Sequence, residues 1–346
     1  MTWETLLGRV MNGQGLEQPE AAWMMEQVLT DSVSPVQLSA MLAALRTKGE
    51  TVAEVSGLVE TMLAHATPLQ VTGPSVDVVG TGGDGHHTVN ISTMAAVVVA
   101  ATGAMVVKHG NRAASSRSGS ADVLAALGVN LDLSAEQVAE VLRQAGITFC
   151  FAMTFHPAMR FAGPVRKELA VPTTFNILGP LTNPAQPAAS AVGVANVERS
   201  PLMAGVFASQ GRDAVLFSNH DGLDEIAATA PTEVWEVRDG AITRATIDVR
   251  SDLGLPSITL DDLRGGDPEH NADVARAVFA GEEGPVLDTV VVNAAAALVA
   301  QATQSGTTHG SFPERMSAAM EHARTALTQG RAADLLERWA SATQSV

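Results

Sequence analysis

Apolar side chains recur every three or four residues through the first 65 positions, and this spacing predicts four short helices and no strand. Trp3, Leu6 and Val10 share one face of the first helix. Ser34 followed by Pro35 predicts the start of the third helix, because serine caps a helix N-terminus and proline suits the first turn. We expect these apolar faces to form the core of a small bundle, with part of one face left for a subunit contact.

From about residue 69 onward the pattern changes to short apolar runs that alternate with glycine-containing loops and helices. The predicted strands are 76–79, 105–107, 214–217 and 289–292. The predicted helices are 93–101 and 121–127, and residues 128–131 are predicted to form the return connection after the second helix. The last two segments, 313–328 and 331–341, are predicted to be packing helices. This order is typical of parallel βαβ units, in which ligands bind at the carboxyl ends of the strands.

Composition narrows the class of protein. The length of 346 residues is that of about two domains, and the hydrophobic content of 46% is ample for a buried core. The 37 acidic residues outnumber the 21 basic ones and give a net charge of −16, which disfavours binding to nucleic acid or to an anionic membrane surface. A single cysteine, Cys150, excludes a disulfide framework and a zinc site made of CxxC pairs. The N-terminal residues show no basic segment followed by an apolar one, so we expect a cytoplasmic protein.

A glycine-rich loop, Gly-Thr-Gly-Gly-Asp at 80–84, directly follows the predicted strand 76–79. Three glycines in five residues allow a sharp turn and a close approach of backbone N–H groups to an anion. The loop matches neither the dinucleotide-binding pattern GxGxxG nor a Walker A loop. Taken alone, it is also compatible with an ordinary tight turn between a strand and a helix.

Two neighbouring segments carry further groups that suit phosphate. Asn90, Ser92 and Thr93 place hydrogen-bonding side chains at the predicted N-terminus of a helix, where the helix dipole favours an anion. The segment after the next predicted strand adds the cations Lys108 and Arg112. These cations could also be solvated surface charges. Their position beside the glycine loop of an acidic chain favours a site for a small ligand with several phosphate groups.

Asp224 and Glu225 follow another predicted strand. Adjacent carboxylates near a phosphate site are typical of Mg²⁺ ligands, often through water. They are also compatible with the acidic first turn of a helix. No histidine spacing matches a metal motif, no GxSxG motif occurs, and Cys150 lies in an apolar run. We therefore expect no covalent catalysis and assign no general acid or base.

Several longer motifs follow one another in a particular order. They are TKGETVAEVSGL at 47–58, GTGGD at 80–84, NIST at 90–93, KHGNRAASSRSGSADVLAALG at 108–128, HPAMRFAGPVRKELAVPTTFNILGPLTNPA at 156–185 and DGLDE at 221–225. In this order they resemble the anthranilate phosphoribosyltransferase family over essentially the whole chain. Loops similar to GTGGD also occur in pyrimidine nucleoside phosphorylases. The segments NILGPLTNP and KHGN are more specific to the anthranilate phosphoribosyltransferase family.

The resemblance implies transfer of the 5-phosphoribosyl group from 5-phosphoribosyl 1-pyrophosphate (PRPP) to the amine of anthranilate. The products are N-(5-phosphoribosyl)anthranilate and pyrophosphate, in the second step of tryptophan biosynthesis from chorismate. The resemblance also implies Mg²⁺, expected as two ions, and a homodimer joined through the helical part. The implied fold is an α/β protein, with a helical domain at 1–68, completed by helices from about 163–188. A large α/β domain at 69–346 would contain a mostly parallel central sheet flanked by helices.

Carried over residue by residue, the resemblance assigns three sets of site residues. The metal ligands are Ser92, Asp224 and Glu225, and the anthranilate-binding residues are Gly80, Asn111 and Arg166. The PRPP-binding residues are Gly80, Gly83, Asp84, Thr88, Asn90, Ile91, Ser92, Thr93, Lys108, His109, Gly110, Asn111, Arg112, Ala113, Ala114, Ser115, Ser116 and Ser120.

The chain departs from the family pattern at two positions. Phe155 precedes His156 where many relatives have two histidines, which puts in doubt a role of the first histidine in guiding anthranilate. Arg117 stands where lysine is common, and this change keeps the charge. Arg166 also has a surface alternative, in which it pairs with Glu168.

Two other functions remain open from the sequence. A nucleoside phosphorylase of the same fold would use inorganic phosphate and a pyrimidine, although the segment at 156–185 does not fit that reaction. A non-catalytic relative that binds nucleic acid would need a basic surface, and the net charge of −16 argues against one.

Overall fold

A computed structural model gives the structure of residues 1–113 and 117–346. Its first part contains the four predicted helices, which are α1 (Trp3–Met11), α2 (Gln18–Leu29), α3 (Pro35–Lys48) and α4 (Val52–Ala64). The hydroxyl of Ser34 accepts a hydrogen bond from the backbone N–H of Gln37, so the predicted cap of the third helix is confirmed.

Within the described residues the strands form one seven-stranded sheet. The strands are β1 (Ser75–Gly80), β2 (Met105–Gly110), β3 (Ile147–Phe151), β4 (Ala189–Gly193), β5 (Asp213–Asn219), β6 (Thr232–Arg238) and β7 (Ala241–Ile247). Their order across the sheet is β3-β2-β1-β4-β5-β6-β7. The strands β1 to β5 run parallel to one another, and β6 pairs antiparallel with both β5 and β7. The predicted α/β class with a mostly parallel sheet is confirmed.

Helices lie along both faces of this sheet. They are α5 (Ile91–Ala101), α6 (Ser120–Ala126), α7 (Ala135–Ala145), α8 (Ala152–Phe155), α9 (Gly163–Leu169), α10 (Phe175–Leu181), α11 (Ser200–Ser209), α12 (Val249–Asp252), α13 (Pro268–Phe279), α14 (Pro285–Gln301), α15 (Phe312–Thr328) and α16 (Arg331–Ser345). Short 3₁₀ turns occupy Pro157–Phe161, Val197–Arg199 and Leu260–Leu263. The two predicted packing helices at the end of the chain are confirmed as α15 and α16. Among the described residues, no helix combines the length and apolarity that a membrane crossing needs.

The strand predicted at 289–292 is wrong, because these residues belong to α14. Their side chains are apolar or β-branched, but they begin a buried run that continues to Ala300, which is too long for one strand. A buried helix and a buried strand share this composition, and length alone separates them. Residues 128–131 connect α6 to α7 and contribute no strand.

Two cores lie on opposite faces of the sheet. Along β5, Val215 and Phe217 belong to one core, and Ala214 and Leu216 belong to the other, as the alternation of side chains along a strand requires. The first core also contains α5 and α13 to α16, and the second contains α1 to α4 together with α9, α10 and α11. Helices α9 and α10 contact α3 and α4 respectively. The domain boundary at residue 68 stays a prediction.

Gly57 of α4 lies against the backbone of α2. A Cβ at this position would come within 2.2 Å of the carbonyl oxygen of Gln18 and 2.8 Å of the backbone nitrogen of Ala22. Because both are backbone atoms, the two helices would have to separate. We expect Gly57→Ala to lower the free energy of unfolding by about 1–3 kcal/mol, as overpacked sites do, when measured by urea denaturation.

The matched control is Gly8→Ala in α1, where a Cβ would meet none of the described atoms of other segments within 4 Å. Alanine is the better helix former, so this variant should unfold at the same or a higher urea concentration. Equal losses of stability in both variants would contradict the packing explanation.

Candidate active site

A cleft of about 650 Å³ lies at the carboxyl edge of the sheet, between the ends of β1 and β2 and the helices α4, α9 and α10. The predicted site residues that the structure describes all line it, namely Gly80, Gly83, Asp84, Thr88, Asn90, Ile91, Ser92, Thr93, Lys108, His109, Gly110, Asn111, Arg112, Ala113, Ser120, Arg166, Asp224 and Glu225. Ala114, Ser115 and Ser116 lie outside the described residues. The individual roles of these residues stay predictions.

The glycine loop after β1 has a left-handed backbone, with φ of +64° at Gly82 and +80° at Gly83. Residues other than glycine rarely adopt this backbone conformation. The N–H of Gly82 donates to Oδ2 of Asp224 at 2.7 Å. The loop is therefore joined to the acidic segment after β5, rather than being only a tight turn between a strand and a helix.

Two glycines at strand ends make room for Asp224. A Cβ on Gly80 would come within 2.2 Å of Oδ2 of Asp224, and a Cβ on Gly193 within 1.6 Å of its carbonyl oxygen. Any side chain at either position would displace the aspartate. The sequence drew attention to Gly80 as part of a loop, but it carried no signal for Gly193.

Three carboxylates converge beside this loop. Asp84, Asp224 and Glu225 each offer an oxygen, and these oxygens all lie within 4.8 Å of one another. Burial, followed by the charge of Asp84, raises the pKa of Asp224 to about 6. Burial and the charges of Asp224 and Asp84 also raise the pKa of Glu225. Crowded carboxylates of this kind repel each other in the ionised state.

The donor set of this cluster fits a hard divalent cation. Oδ2 of Asp84 and Oε2 of Glu225 are buried and have no hydrogen-bond partner among the described residues. Mg²⁺ prefers such oxygen ligands, and its charge would stabilise the ionised carboxylates. Asp84 had been predicted as a PRPP residue only, because nothing in the sequence places it beside Asp224.

Lys108 is almost completely buried although it lines the cleft. Its ammonium donates to the carbonyl oxygen of Val78 and to Oγ of Ser92. Burial lowers the pKa of Lys108 to about 8, while Asp77 and Asp224 act in the opposite direction. Two of its three N–H groups are used by these bonds, which leaves one for a ligand.

Asp77 links the NILGPLTNP segment to the sheet. Its carboxylate accepts hydrogen bonds from the N–H of His109 at 3.1 Å and from the amide of Asn183 at 2.8 Å. The same amide nitrogen donates to the carbonyl of Val107 at 2.8 Å. These bonds hold the segment after α10 against the middle of β1 and β2. The sequence analysis did not single out Asp77 or Asn183.

Two histidines lie side by side in the cleft wall, with ring centroids 5.3 Å apart. Nδ1 of His109 lies 3.0 Å from the carbonyl oxygen of Gly179, and Nε2 of His156 lies 2.8 Å from that of Thr182. A carbonyl only accepts, so each of these nitrogens carries a proton. Burial lowers the pKa of both rings to about 4. His109 therefore presents an unprotonated Nε2, which has no partner among the described groups.

Arg166 lies in α9, which has Pro164 in its first turn as predicted. Its guanidinium carbon stands 5.4 Å from the centroid of the Phe175 ring. Partial desolvation lowers the pKa of Arg166, although the residue is still exposed. Neither Glu168 nor any other carboxylate of the described residues forms an ion pair with it, so the surface alternative is not observed. The cation is available to an anionic ligand at the cleft.

Known proteins share this architecture. Residues 72–333 match the a/b domain of the glycosyl transferase family, and residues 4–66 match the helical bundle domain of that family. Anthranilate phosphoribosyltransferases of Arthrobacter sp. and Streptomyces griseus are each 51% identical to the chain, over 99% of it and 96% of their own length.

Solved structures agree with these sequence matches. An anthranilate phosphoribosyltransferase from Thermus thermophilus superposes with a TM-score of 0.90 at 39% identity, covering 98% of this chain and 99% of that one. The enzyme from Saccharomyces cerevisiae in complex with PRPP and Mg gives a TM-score of 0.88 at 24% identity, covering 99% and 98%. The second likeness concerns the fold alone.

The two buried histidines make stability depend on pH. Their folded pKa of about 4 lies below the ordinary 6.5, so the unfolded chain takes up protons first as the pH falls. The stability that the neutral rings contribute is complete above pH 6.5 and is lost as the pH falls toward 4. Together the two histidines make the free energy of unfolding fall by at most about 2.7 kcal/mol for each pH unit of acidification, which is twice the value for one proton.

Urea denaturation between pH 4.5 and 7 measures this slope. In the variant His156→Gln an amide donor replaces the titrating ring, so the slope should be smaller than in the wild type by up to about 1.4 kcal/mol per unit. An identical pH dependence in the two proteins would show that His156 titrates normally in the folded state.

Proposed function

The chain belongs to the anthranilate phosphoribosyltransferase family, and we propose that it transfers the 5-phosphoribosyl group of PRPP to the amine of anthranilate. The products are N-(5-phosphoribosyl)anthranilate and pyrophosphate, and the reaction is the second step of tryptophan biosynthesis from chorismate. One observation carries the proposal. A single cleft is lined by a glycine loop, by three converging carboxylates and by a guanidinium that pairs with no carboxylate of the described residues.

The phosphates of PRPP are bound by the loops at the sheet edge. The glycine loop and the first turn of α5 present backbone N–H groups, and the helix dipole adds to their attraction for an anion. Oγ1 of Thr93 is buried without a partner among the described residues, and Asn90 and Ser92 lie beside it in the cleft. These groups hold the phosphate groups and thereby orient C1 of the ribose, which supplies much of the rate.

Asp84, Asp224 and Glu225 are the residues that would hold Mg²⁺, together with Ser92. When bound, the cation neutralises the negative charge that develops on the departing pyrophosphate. We propose two ions; the carboxylate cluster supports one of them. The N–H of Gly82, which donates to Asp224, keeps this carboxylate directed at the phosphate-binding loop.

Arg166 selects anthranilate by its carboxylate. A guanidinium forms two parallel hydrogen bonds to a carboxylate, which a neutral base does not offer. The amine of anthranilate is already unprotonated near neutral pH, so the protein needs no strong general base. Holding the amine on the face of C1 opposite the pyrophosphate gives inversion at that carbon. The residues of the cleft act by orientation and by charge.

We further propose a cytoplasmic homodimer joined through the helical bundle. The support is the exposure of a large apolar side chain on each of two helices that contact each other, namely Met11 of α1 (71% exposed) and Val36 of α3 (78% exposed). Contiguous exposed apolar patches mark subunit contacts.

A fluorescence assay tests the proposed reaction. The protein is mixed with anthranilate, PRPP and Mg²⁺, and loss of anthranilate fluorescence is compared with the release of pyrophosphate. We expect the two to be equimolar and to require all three components. Phosphorolysis of a pyrimidine nucleoside without any consumption of anthranilate would favour the nucleoside phosphorylase instead.

Arg166→Ala should weaken anthranilate binding selectively. The loss of a charge-assisted, partly desolvated contact is expected to cost about 2–3 kcal/mol. That corresponds to about 30- to 150-fold in kcat/KM for anthranilate. Calorimetric titration of each substrate separately should show PRPP affinity nearly unchanged.

The neighbouring cation supplies the control for this experiment. Lys167 lies on the same helix but outside the cleft lining, so Lys167→Ala should bind both substrates normally. An equal loss of PRPP affinity in Arg166→Ala, or an unchanged affinity for anthranilate, would show that Arg166 does not bind the carboxylate of anthranilate.

The double variant Asp224→Asn, Glu225→Gln should abolish turnover at millimolar Mg²⁺. Its fold should persist with equal or higher stability, because burial and mutual repulsion raise the pKa of both carboxyls. Steady-state rates and thermal unfolding check the two effects. Asp221→Asn, an exposed change in the same loop, is the control and should retain activity. Near-normal activity of the double variant would refute the metal assignment.

A further inference from the structure

Asn293 is a buried amide in the middle of α14, a helix that is otherwise lined with alanine, valine and leucine. Only 2% of its surface is exposed, and it does not line the cleft. A buried amide destabilises a fold unless its hydrogen bonds are made. Its position therefore raises the question of which groups it bonds.

The amide of Asn293 pairs with both backbone groups of Ile226, the residue directly after Glu225. Its Oδ1 accepts from the N–H of Ile226 at 3.0 Å, and its Nδ2 donates to the carbonyl oxygen of Ile226 at 2.8 Å. The second N–H of Nδ2 donates to the carbonyl of Thr289 at 2.8 Å, one turn earlier in α14. This last bond fixes the orientation of the amide, so both of its N–H groups and its oxygen have partners.

A second asparagine holds the same loop from the sheet. The side chain of Asn219, at the end of β5, donates to the carbonyls of Ala227 and Ala230, each at 3.2 Å, and accepts from the N–H of Asp221 at 2.9 Å. Asn219 thus holds the loop on both sides of the acidic pair, and Asn293 holds the residue directly after it.

Glu225 depends on this backbone support. Its Oε1 accepts only a long bond of 3.4 Å from Thr88, and its Oε2 has no partner among the described residues. Side-chain bonds therefore do little to direct the carboxylate, and the position of its own backbone determines where it points. Groups that orient metal ligands in this way commonly affect metal affinity although they do not touch the ion.

We infer that Asn293 is a positioning residue, which sets the affinity of the carboxylate cluster for its divalent cation by fixing the backbone after Glu225. The inference rests on the proposed function, because it takes the cluster to be a metal site. It assigns a role in the reaction to a residue that lies on a helix outside the cleft.

The test measures Mn²⁺ binding in the presence of PRPP from the electron paramagnetic resonance signal of the free ion, and the Mn²⁺ that PRPP binds without protein is measured in parallel and subtracted. Asn293→Leu has a similar volume and lacks both bonds to Ile226. Asn293→Ala is the second variant, and its Mn²⁺ affinity tests the inference if Asn293→Leu fails to fold. We expect the dissociation constant for Mn²⁺ to rise about tenfold in each, the lower end of such effects. The KM for anthranilate should not change, and added Mg²⁺ should restore turnover.

Thr289→Val is the matched control. Thr289 is equally buried on the same helix, and its hydroxyl bonds only within α14, to the carbonyl of Pro285 at 2.8 Å. This variant should bind Mn²⁺ as the wild type does, even if its melting temperature falls.

The outcomes separate the inference from the proposed function. A wild-type protein that binds no Mn²⁺ with PRPP would overturn the metal site itself. A wild type that binds Mn²⁺, with Asn293 variants of equal affinity, would overturn the positioning role alone. Variants that lose only thermal stability, with unchanged Mn²⁺ affinity, would likewise show that Asn293 serves the fold and not the cluster.

Discussion

The repulsion among Asp84, Asp224 and Glu225 is the constraint on which the organisation of the cleft depends. Their oxygens lie within 4.8 Å of one another, and burial and mutual charge raise the pKa of both Asp224 and Glu225. Lys108 faces the cluster, but its ammonium also bonds to a strand carbonyl and a serine. The protein's own groups leave two carboxylate oxygens without a described partner. A bound cation would complete this arrangement.

Several features far apart in the chain serve the cluster. Glycine at 80 and at 193 leaves the space that Asp224 fills, and the left-handed backbone at Gly82 directs an N–H toward the same carboxylate. Asn293 and the end of β5 hold the loop that carries the acids. The parallel sheet is what makes this possible, because it brings the carboxyl ends of β1, β2, β4 and β5 to one edge.

The two cores give the cleft two walls of different chemistry, which suits the two substrates of the proposed reaction. The sheet edge supplies loops, a helix N-terminus and carboxylates, which suit phosphate with a metal ion. The opposite wall comes from helices packed in the second core, and it carries Arg166 over Phe175. In the proposed assignment, each substrate would meet the layer whose groups match its charge. The proposed reaction follows from holding the two together.

Features encoded by nearby residues could be predicted from the sequence. Ser34 with Pro35 marked a helix start, and the glycine loop at 80–84 marked a strand end beside the site. Features that depend on distant contacts could not. The segment at 289–292 has a strand's composition inside a buried helix, and only the length of the whole run separates the two. Asp84 joins the carboxylate cluster across more than 100 residues of chain. Gly193, at the end of a different strand, makes room for Asp224.

The most direct test is a crystal structure of the wild-type protein grown with PRPP and Mn²⁺, with the metal located by its anomalous scattering. We expect an Mn²⁺ peak within bonding distance of carboxylate oxygens of Asp84, Asp224 and Glu225. We also expect the pyrophosphate of PRPP to lie against the glycine loop. Metal bound elsewhere while these three carboxylates stay without it, or PRPP bound away from that loop, would contradict the proposed site.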